Sequence, residues 1–537
     1  MSPSPTLRKT DNEEVEHVPQ TDLKNVGALT SEVNENNNET IWHSIKQNPW
    51  VLVYTFLANS GSLLFGYDVL VQGAITALPM FSWVPLRVAY FGSPYGETFI
   101  LPALWQGLWQ GLNAFGIMCG AASNGILQDM FGRKVMFFVG GAVSAIGTAV
   151  TFVASDVDAL DARRGVLVLG KFIIGASMGI LMSTCQTYVS EISPPRLRTI
   201  LLGFYPFLIT VGQMIAVSVV FSRIDGTTDS AFKVPFASQW AFSAFAIIVS
   251  FVIPESPLYL IAKDKLPQAE KALLRLGCPT PTGRITVIQA TREQERASSA
   301  EEATVTELFQ GSNLRRTRIV ALLNSLQQFI GISLVSNSTY FFIMAGMDPS
   351  QSLTMNQAGV GASMGCTLIS WVIITHLGRR TAILGSFVMA ALFYLGMGIA
   401  GFWPDNSKAL RFIGVSLILA ACCNNLGVGT AYPIAAAEIP STRLRAKTLG
   451  FGFLINAFMT WAFALCVPYM FNADEGNLGG KIGFVFVGFC VVGFVLSWLE
   501  IPETKDITYA QIDLLFQRRI PTRRFKDERV REIPLEK

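Results

Sequence analysis

Charged residues are scarce in this chain. Only 15% of its 537 residues are Asp, Glu, Lys or Arg, whereas a soluble protein carries about 25%. The formal net charge is only +3, which argues against nucleic acid as a partner. Hydrophobic residues make up 51% of the chain, and the mean hydropathy is +0.42. This composition predicts a protein that resides in a lipid bilayer.

Motifs for several chemistries are also missing. The chain has three histidines and eight cysteines without CxxC spacing, so neither a zinc site nor a disulfide framework is indicated. It has no Walker A sequence, which leaves ATP-driven transport unsupported, and no HExxH motif of a metallohydrolase. No apolar run lies near residue 1, so we expect no cleavable signal peptide. We therefore expect no enzymatic activity, no cofactor and no metal.

The chain does contain an internal repeat. Three motifs occur twice in the same order, with offsets of 246 (378 − 132), 247 (438 − 191) and 248 (502 − 254) residues. Such regular spacing indicates two copies of one unit, an arrangement that many secondary transporters use to bind substrate between the copies. The motifs are Gly-Arg-Lys or Gly-Arg-Arg at 132–134 and 378–380, Glu-Ile-x-x-x-Arg-Leu-Arg at 191–198 and 438–445, and Pro-Glu-Ser or Pro-Glu-Thr at 254–256 and 502–504.

Twelve apolar stretches are long enough to cross a bilayer, which takes roughly 20 residues per helix. They predict an all-α integral membrane protein of twelve transmembrane helices, in two pseudo-symmetric six-helix halves at 49–253 and 318–501. We expect a disordered cytoplasmic tail at 1–48, a cytoplasmic loop with short helices at 254–317 and a second cytoplasmic tail at 502–537. The expected spans are about 50–74, 101–123, 134–154, 166–189, 199–221, 238–253, 318–345, 357–376, 381–403, 411–437, 447–470 and 482–501.

Basic residues indicate which side faces the cytoplasm. The short loops on the side of the repeated motifs hold nine Lys and Arg, against eight on the opposite side, so these loops decide only weakly. The long loop 254–317 and the basic C-terminal tail favour the motif side as cytoplasmic. We therefore expect a multi-pass protein of the cell membrane with both termini in the cytoplasm. The sequence leaves open the choice between plasma membrane and vacuole.

Two charges, Asp68 and Lys171, lie inside apolar spans and away from the span ends. A charge at the centre of a membrane helix costs at least ~2.5–3.5 kcal/mol, so each needs an explanation. Asp68 lies in the first span, where a carboxyl in a low-dielectric cavity could bind and release a proton. Lys171, early in the fourth span, is its candidate partner. We predict that the pair couples transport to protons; the alternative is a purely structural ion pair.

Charged residues also cluster at the helix ends of the repeated motifs. Glu191 and Glu438 each end a span just before Arg-Leu-Arg, and each can pair with arginines on neighbouring helix ends. Breaking such pairs would be needed to open the cytoplasmic side. We predict a cytoplasmic gate of Asp129, Arg133, Glu191, Arg196, Arg198, Arg379, Glu438 and Arg443.

The seventh span contains a polar stripe. Adjacent amides at Gln327 and Gln328 are costly in a membrane unless they meet polar partners, and they point about 100° apart, so we expect at least one to face a cavity. Amides both donate and accept hydrogen bonds, which suits sugar hydroxyls. The alternative is polar contact between helices. The predicted sugar-binding residues are Gln213, Gln327, Gln328, Ser333, Asn337 and Asn456.

Taken together, these motifs resemble those of fungal sugar porters of the major facilitator superfamily. The resemblance covers about residues 50–516 and is nearest to maltose and α-glucoside permeases, on account of 437–445 and 472–479. It implies that the amides of spans five, seven and eleven bind sugar and that Asp68 is the proton site. In family symporters an arginine partners this aspartate, and here Lys171 stands in its place. Lysine keeps the charge but lacks the rigid bidentate fork.

Several family sugar contacts are replaced. Ser333 stands at the usual asparagine, Pro206 at a glutamine of the fifth helix, Pro433 at an aromatic residue and Ala457 at a tryptophan. We therefore expect a wider pocket or a different solute. The prediction is import of a sugar, an α-glucoside such as maltose or a hexose, with a proton by alternating access, by a monomer in the bilayer. A facilitative uniporter, a porter of a polyol or other non-sugar solute, and a nutrient sensor stay open.

Overall fold

The structure is a computed structural model that describes residue 46 and residues 48–525, apart from 77, 79–80, 82, 85–87, 90, 96–97, 227, 229, 279, 299–304, 442–443, 506 and 508. The predicted tail at 1–48 lies almost wholly outside the described residues. Twelve transmembrane segments, TM1 to TM12, are all helical. The first connection also carries two short antiparallel hairpins, which the sequence did not predict. They pair β1 (Trp83–Val84) with β2 (Val88–Ala89) and β3 (Ser93–Tyr95) with β4 (Thr98–Ile100).

The N-terminal half contains TM1 to TM6. TM1 and TM6 each consist of two helices in series, and the other four segments are single helices. The bounds are α1 (Pro49–Ala58) and α2 (Ser60–Ile75) for TM1, α3 (Ala103–Phe131) for TM2, α4 (Arg133–Val153) for TM3, α5 (Leu160–Ile192) for TM4, α6 (Pro195–Phe221) for TM5, and α7 (Ser230–Ala237) and α8 (Gln239–Val252) for TM6.

In the described part of the connection between the halves, three α-helices and a short 3-10 helix follow one another: α9 (Pro257–Ala262), α10 (Leu266–Arg275), α11 (Pro281–Ser298) and the 3-10 helix Val305–Phe309. The sequence predicted short helices in this loop. In the structure α10 buries Ala269 and Leu273, and Gly277 has a φ of +83°. This backbone conformation suits glycine and ends the helix.

The C-terminal half repeats the pattern in TM7 to TM12, with TM7 divided into three helices and TM10 into two. The bounds are α12 (Gly311–Phe329), α13 (Ile332–Ser336) and α14 (Ser338–Met344) for TM7, α15 (Pro349–Leu377) for TM8, α16 (Arg379–Ala400) for TM9, α17 (Ser407–Leu426) and α18 (Val428–Glu438) for TM10, α19 (Arg445–Phe471) for TM11 and α20 (Ile482–Glu500) for TM12.

Nine of the transmembrane segments in the described part of the chain are helices long and apolar enough to cross a membrane. The other three are TM1, TM2 and TM7. TM1 is divided at Asn59, TM7 is divided at Gly331 and Asn337, and TM2 carries several amides. TM7 also begins at Gly311 rather than near 318, because its first turns are polar and project beyond the apolar span. TM1 and TM7, which depart from a plain apolar helix, carry Asp68 and the predicted polar stripe.

A packed segment follows TM12. Within the predicted tail at 502–537, α21 (Tyr509–Gln517) lies against the start of TM7, where Asp513 pairs with Arg316. Phe516 and Phe525 are buried in the same contact. The tail is therefore attached to the C-terminal half as far as residue 525.

The two ends of the molecule differ in how the halves meet. We call the end with the repeated motifs the motif end, and the opposite end the far end. The described hydrogen bonds between the halves lie toward the far end: Asn472 Nδ2 donates to the Leu101 carbonyl over 2.7 Å, and Asp474 Oδ2 accepts from the Ala103 N–H over 3.0 Å. The Tyr340 hydroxyl accepts from the Leu101 N–H over 3.1 Å. The far end is therefore closed in this structure.

The repeated motifs cap the start of a helix in the same way in both halves. TM3 and TM9 each begin directly after a glycine, Gly132 and Gly378, which have φ values of +96° and +88° and no side chain to cap the helix. A glutamate from a distant loop performs the capping. Glu255 accepts from the Arg133 N–H over 3.0 Å, and Glu503 accepts from the Arg379 N–H over 3.0 Å. Carboxylates satisfy the free N–H groups and oppose the positive end of the helix dipole.

Replacing Gly132 with alanine is expected to destabilise the protein by roughly 1–3 kcal/mol, because only glycine adopts this backbone conformation without strain. The added Cβ would also lie 2.5 Å from Glu255 Oε2. The matched control is Gly125→Ala in TM2, where no described atom lies within 4 Å of the new Cβ. Thermal unfolding in detergent should show a lower midpoint for Gly132→Ala alone, and equal midpoints for the two variants would contradict this reading.

Candidate functional site

Asp68 and Lys171 form an ion pair inside the N-terminal half. Lys171 Nζ lies 2.8 Å from Asp68 Oδ1, and the two side chains are only 2% and 0% exposed respectively. Removing two charges from water is costly, and their attraction offsets that cost only when the remaining polar atoms are also paired. The sequence predicted the partnership from two isolated charges, and the structure places them in contact.

Two amides complete the surroundings of the carboxylate. Gln239 Nε2 donates to Asp68 Oδ1 over 2.5 Å, and Asn113 Nδ2 donates to Asp68 Oδ2 over 3.1 Å. Asn113 Nδ2 also lies 3.2 Å from the Lys171 carbonyl oxygen. Both carboxylate oxygens therefore accept hydrogen bonds. Sequence reasoning missed Gln239 and Asn113, although each is an isolated polar residue in an apolar span, the signal that identified Asn456.

Helix breaks and close packing bring these groups together. TM6 is interrupted at Ser238, so that Gln239 is the first residue of α8 and is buried against TM1. TM2 and TM4 approach so closely that a Cβ on Gly175 would lie 2.2 Å from the Asn113 carbonyl oxygen. Small residues permit such backbone contact between membrane helices. Lys171 lies one turn before Gly175 and therefore reaches both Asn113 and Asp68.

A small cavity adjoins the ion pair. It measures about 10 Å³, and Gln72, Thr76, Trp109 and Lys171 contribute to its lining. This is about the smallest volume that admits one water molecule. On another side, the Lys171 ammonium lies 5.5 Å from the centroid of the Phe236 ring, within range of a cation–π contact. The pair is thus enclosed by the N-terminal half in this structure.

The polar stripe of TM7 lies in the C-terminal half. Gln328 Nε2 donates to Thr460 Oγ1 of TM11 over 2.9 Å, and Gln328 Oε1 accepts from Ser333 Oγ over 2.6 Å. Asn456 Nδ2 donates to the Asn324 carbonyl over 2.8 Å, which joins TM11 to TM7 a second time. The breaks in TM7 allow these contacts, since Gly331 takes a left-handed φ of +90° just before Ser333. The structure therefore brings Gln328, Ser333 and Asn456 onto one interface between TM7 and TM11.

Two predicted amides are free for other partners. Gln327 and Gln213 are half-buried, and neither has a hydrogen-bond partner among the described residues. Gln213 follows Gly212, which packs against Leu63 and Tyr67 of TM1, so Gln213 lies near the level of Asp68. Both side chains keep their hydrogen-bonding capacity for a solute. Asn337, by contrast, is bonded to Gln110 of the other half.

Ion pairs hold the helix ends together at the motif end. Arg133 Nη2 lies 2.8 Å from Glu191 Oε1 and 3.2 Å from Asp129 Oδ1. In the second copy, Arg379 Nη2 lies 2.8 Å from Glu438 Oε1. Each pair joins helices of a single half. The predicted pairing of Arg133 with Glu191 and of Arg379 with Glu438 is thus present in the geometry.

The remaining predicted gate residues lie outside the described parts. The side chains of Arg196 and Arg198 are not described, and Arg443 falls in the gap at 442–443. Their predicted gate role stays a prediction. Next to this cluster, burial raises the pKa of the Glu255 carboxyl, and the N–H groups of Ser256, Lys134 and Arg133 partly offset that shift. The hydrogen bonds that Glu255 accepts as a helix cap thus favour the charged form of its carboxyl.

Comparison with known proteins identifies the family. The model of the family described as "Sugar (and other) transporter" matches residues 54–516. The chain belongs to this family. Its fold is that of the major facilitator superfamily, and the protein is a multi-pass membrane transporter rather than an enzyme.

Similar proteins come from fungi. The "MFS transporter fmqE" of Aspergillus fumigatus is 28% identical over 521 residues, with 94% of each chain covered. The "General alpha-glucoside permease" of Saccharomyces cerevisiae is 29% identical over 518 residues, covering 92% of this transporter and 80% of the permease. A maltose permease of Saccharomyces cerevisiae is 27% identical, with 91% and 79% covered.

Solved structures share the fold. The inward-open xylose transporter XylE of E. coli superposes with a TM-score of 0.69 at 19% identity, covering 87% of this chain and 99% of XylE. The nucleoside transporter NupG is more distant, with a TM-score of 0.52 at 15% identity and coverage of 83% and 98%. These likenesses confirm the predicted twelve-helix architecture of two halves.

Removing the ammonium group from the ion pair is expected to destabilise the transporter. Lys171→Met leaves the Asp68 carboxylate buried and without its cation, at a cost of about 3–5 kcal/mol. The double variant Asp68→Asn with Lys171→Met should recover much of the loss, because no uncompensated charge remains. The measurement is the thermal unfolding midpoint in detergent at neutral pH.

The control for this comparison is Lys233→Met, which breaks a more exposed ion pair with Asp156 at the far end. Accessible pairs contribute only about 0–1 kcal/mol. If Lys171→Met and Lys233→Met lower the midpoint equally, or if the double variant recovers nothing, the ion pair does not impose the cost described here.

Proposed function

We propose that this transporter imports a sugar together with a proton, by alternating exposure of one site between the halves. The observation that carries the proposal is the buried Asp68–Lys171 pair. A carboxylate paired with a mobile cation can exchange that cation for a proton when the surrounding helices move. The solute would bind between the halves, to Gln213 of TM5 and to the amides of TM7. Proton and solute would then share one conformational cycle.

The orientation follows from charge and supports uptake. The long connection at 254–317 and the basic segment after TM12 lie at the motif end, which the positive-inside rule assigns to the cytoplasm. Both termini would then be cytoplasmic, and the far end would face outward. Because the far end is closed, the structure corresponds to an inward-facing state under this assignment. Plasma membrane is the proposed location, by analogy with the permeases.

The arrangement of amides supports a hydroxyl-rich solute. Gln327 and Gln213 have unused donors and acceptors, and such groups pair well with hydroxyls. Ser333 and Ala457 are smaller than the asparagine and tryptophan of the resembled family, which leaves room for a second sugar ring. We therefore propose an α-glucoside such as maltose ahead of a hexose. Two of the yeast relatives are named as an α-glucoside permease and a maltose permease, which agrees with this choice.

A porter of another solute is the second candidate. Ser333 Oγ is already bonded to Gln328, and Pro206 lies within TM5 where a sugar-binding glutamine was expected. The matching family includes transporters of solutes other than sugars, and one similar protein carries no sugar in its name. Because this chain has fewer sugar contacts than the resembled family, a polyol or other non-sugar solute is the second candidate.

Uptake in cells tests the function. Labelled maltose and labelled glucose are supplied to a yeast strain that lacks its own sugar transporters, with and without a proton uncoupler. We expect uphill accumulation of maltose that collapses when the uncoupler is added. Uptake that only equilibrates would identify a facilitator, and no uptake of either sugar by protein at the cell surface would favour the second candidate.

The role of Asp68 is tested by Asp68→Asn. The neutral amide mimics a permanently protonated carboxyl, so accumulation driven by pH should be abolished while exchange of labelled for unlabelled solute continues. The control is Asp161→Asn, because Asp161 is largely exposed at the start of TM4. If the Asp68→Asn variant is present in the membrane in normal amounts and still accumulates solute normally, Asp68 is not the proton site.

A further inference from the structure

We propose that the Gln110–Asn337 amide pair couples closure of the far end to the Asp68–Lys171 site. The proposal rests on the proton symport proposed above and assigns a positioning role to Gln110 of TM2, a residue that sequence reasoning did not single out. Three observations support it: the form of the pair itself, the contacts of Asn337 in the C-terminal half, and the neighbours of Gln110 in the N-terminal half.

The two amides bond to each other in both directions. Asn337 Nδ2 donates to Gln110 Oε1 over 2.8 Å, and Gln110 Nε2 donates to Asn337 Oδ1. A reciprocal pair of this kind constrains orientation as well as distance. Because Gln110 belongs to the N-terminal half and Asn337 to the C-terminal half, the pair fixes how the halves meet.

In the C-terminal half, Asn337 is connected to the proposed solute site. It lies at the second break of TM7, between α13 and α14, and is 1% exposed. Its Nδ2 also donates to the Ser333 carbonyl over 2.9 Å, and Ser333 Oγ donates to Gln328 Oε1 over 2.6 Å. A shift of Gln328 on solute binding therefore acts directly on the short helix α13, which Asn337 immediately follows.

In the N-terminal half, Gln110 is connected to the ion pair. It lies three residues before Asn113 in α3, which is about 4.5 Å along the same side of the helix. Asn113 contacts both the Asp68 carboxylate and the Lys171 carbonyl. Since one turn of a packed helix moves as a unit, a displacement of Gln110 displaces Asn113 as well.

A contiguous series of contacts thus links Gln328 to Asp68 across the two halves. When the far end opens, TM2 and TM7 separate, the amide pair breaks, and Asn113 is released from the position that the pair imposes. Closure of the far end and the rearrangement of the groups around Asp68 then occur in one movement. Without the amide pair, the far end could close whether or not Asn113 is in position beside Asp68.

The experiment compares three variants in whole-cell uptake. Gln110→Leu removes the pair. The exchange Gln110→Asn with Asn337→Gln restores an amide pair of the same combined length, whereas Asn337→Gln alone does not. The control is Gln357→Leu, because Gln357 Nε2 also bonds across the halves, to Ser218 Oγ over 3.3 Å, but joins TM8 to TM5. The readouts are maltose accumulation, maltose exchange, the pH profile of uptake and the number of protons taken up per sugar.

For Gln110→Leu we expect accumulation to fall roughly fivefold or more, the range of a typical coupling between two sites. Exchange should fall far less, protons per sugar should decrease, and the pH profile should flatten. The exchanged pair should recover accumulation and the pH profile, and Gln357→Leu should keep both. These differences separate coupling from a general loss of folding, which would reduce exchange as well.

Two results would overturn the inference. The first is that Gln110→Leu and Gln357→Leu behave alike. The second is that the exchanged pair performs no better than Asn337→Gln alone, which would make the contact simple packing. If the wild-type transporter takes up sugar only to equilibrium, symport fails and the coupling role falls with it, and that outcome is visible before any variant is compared.

Discussion

A carboxylate and an ammonium group, held 2.8 Å apart and almost wholly buried, constrain the rest of the N-terminal half. Neither charge is tolerable alone in an apolar interior, so the carboxylate needs further hydrogen bonds besides its cation. The break in TM6 that presents Gln239 and the close packing of TM2 on TM4 that presents Asn113 supply one such bond to each carboxylate oxygen. Any movement that separates Lys171 from Asp68 must supply the carboxylate with another positive charge, and a proton is the smallest cation available.

The two copies of the repeat are alike at the motif end, but their polar residues within the membrane differ. Both copies use the same Gly-Arg start and the same glutamate cap, with matching distances of 3.0 Å. The ion pair, however, has no equivalent in the second copy, since Ile418 stands 247 residues after Lys171. The C-terminal half instead carries the amides of TM7 and TM11. The helix ends are therefore alike in the two halves, while the ion pair and the TM7–TM11 amides belong to different halves.

Much of this arrangement was predictable from the sequence, for physical reasons. Apolar length gives the spans, and a charge such as Asp68 or Lys171 is conspicuous where charges are costly. Gln239 and Asn113 were not predicted, because whether an isolated amide meets a particular carboxylate depends on helix packing and on the break at Ser238. The pairing of Asn337 with Gln110 was hidden for the same reason: it joins residues 227 apart in the chain. The hairpins after TM1 gave no signal, since their strands are only two or three residues long.

The most direct test of the central claim is proton movement driven by solute. The purified transporter is reconstituted into vesicles that contain a pH-sensitive dye, and maltose is added outside in the absence of any pH gradient. We predict that the lumen becomes acidic as maltose enters, and that a protonophore abolishes this change. Entry of labelled maltose with no change in luminal pH would contradict the account and leave the Asp68–Lys171 pair as a structural element.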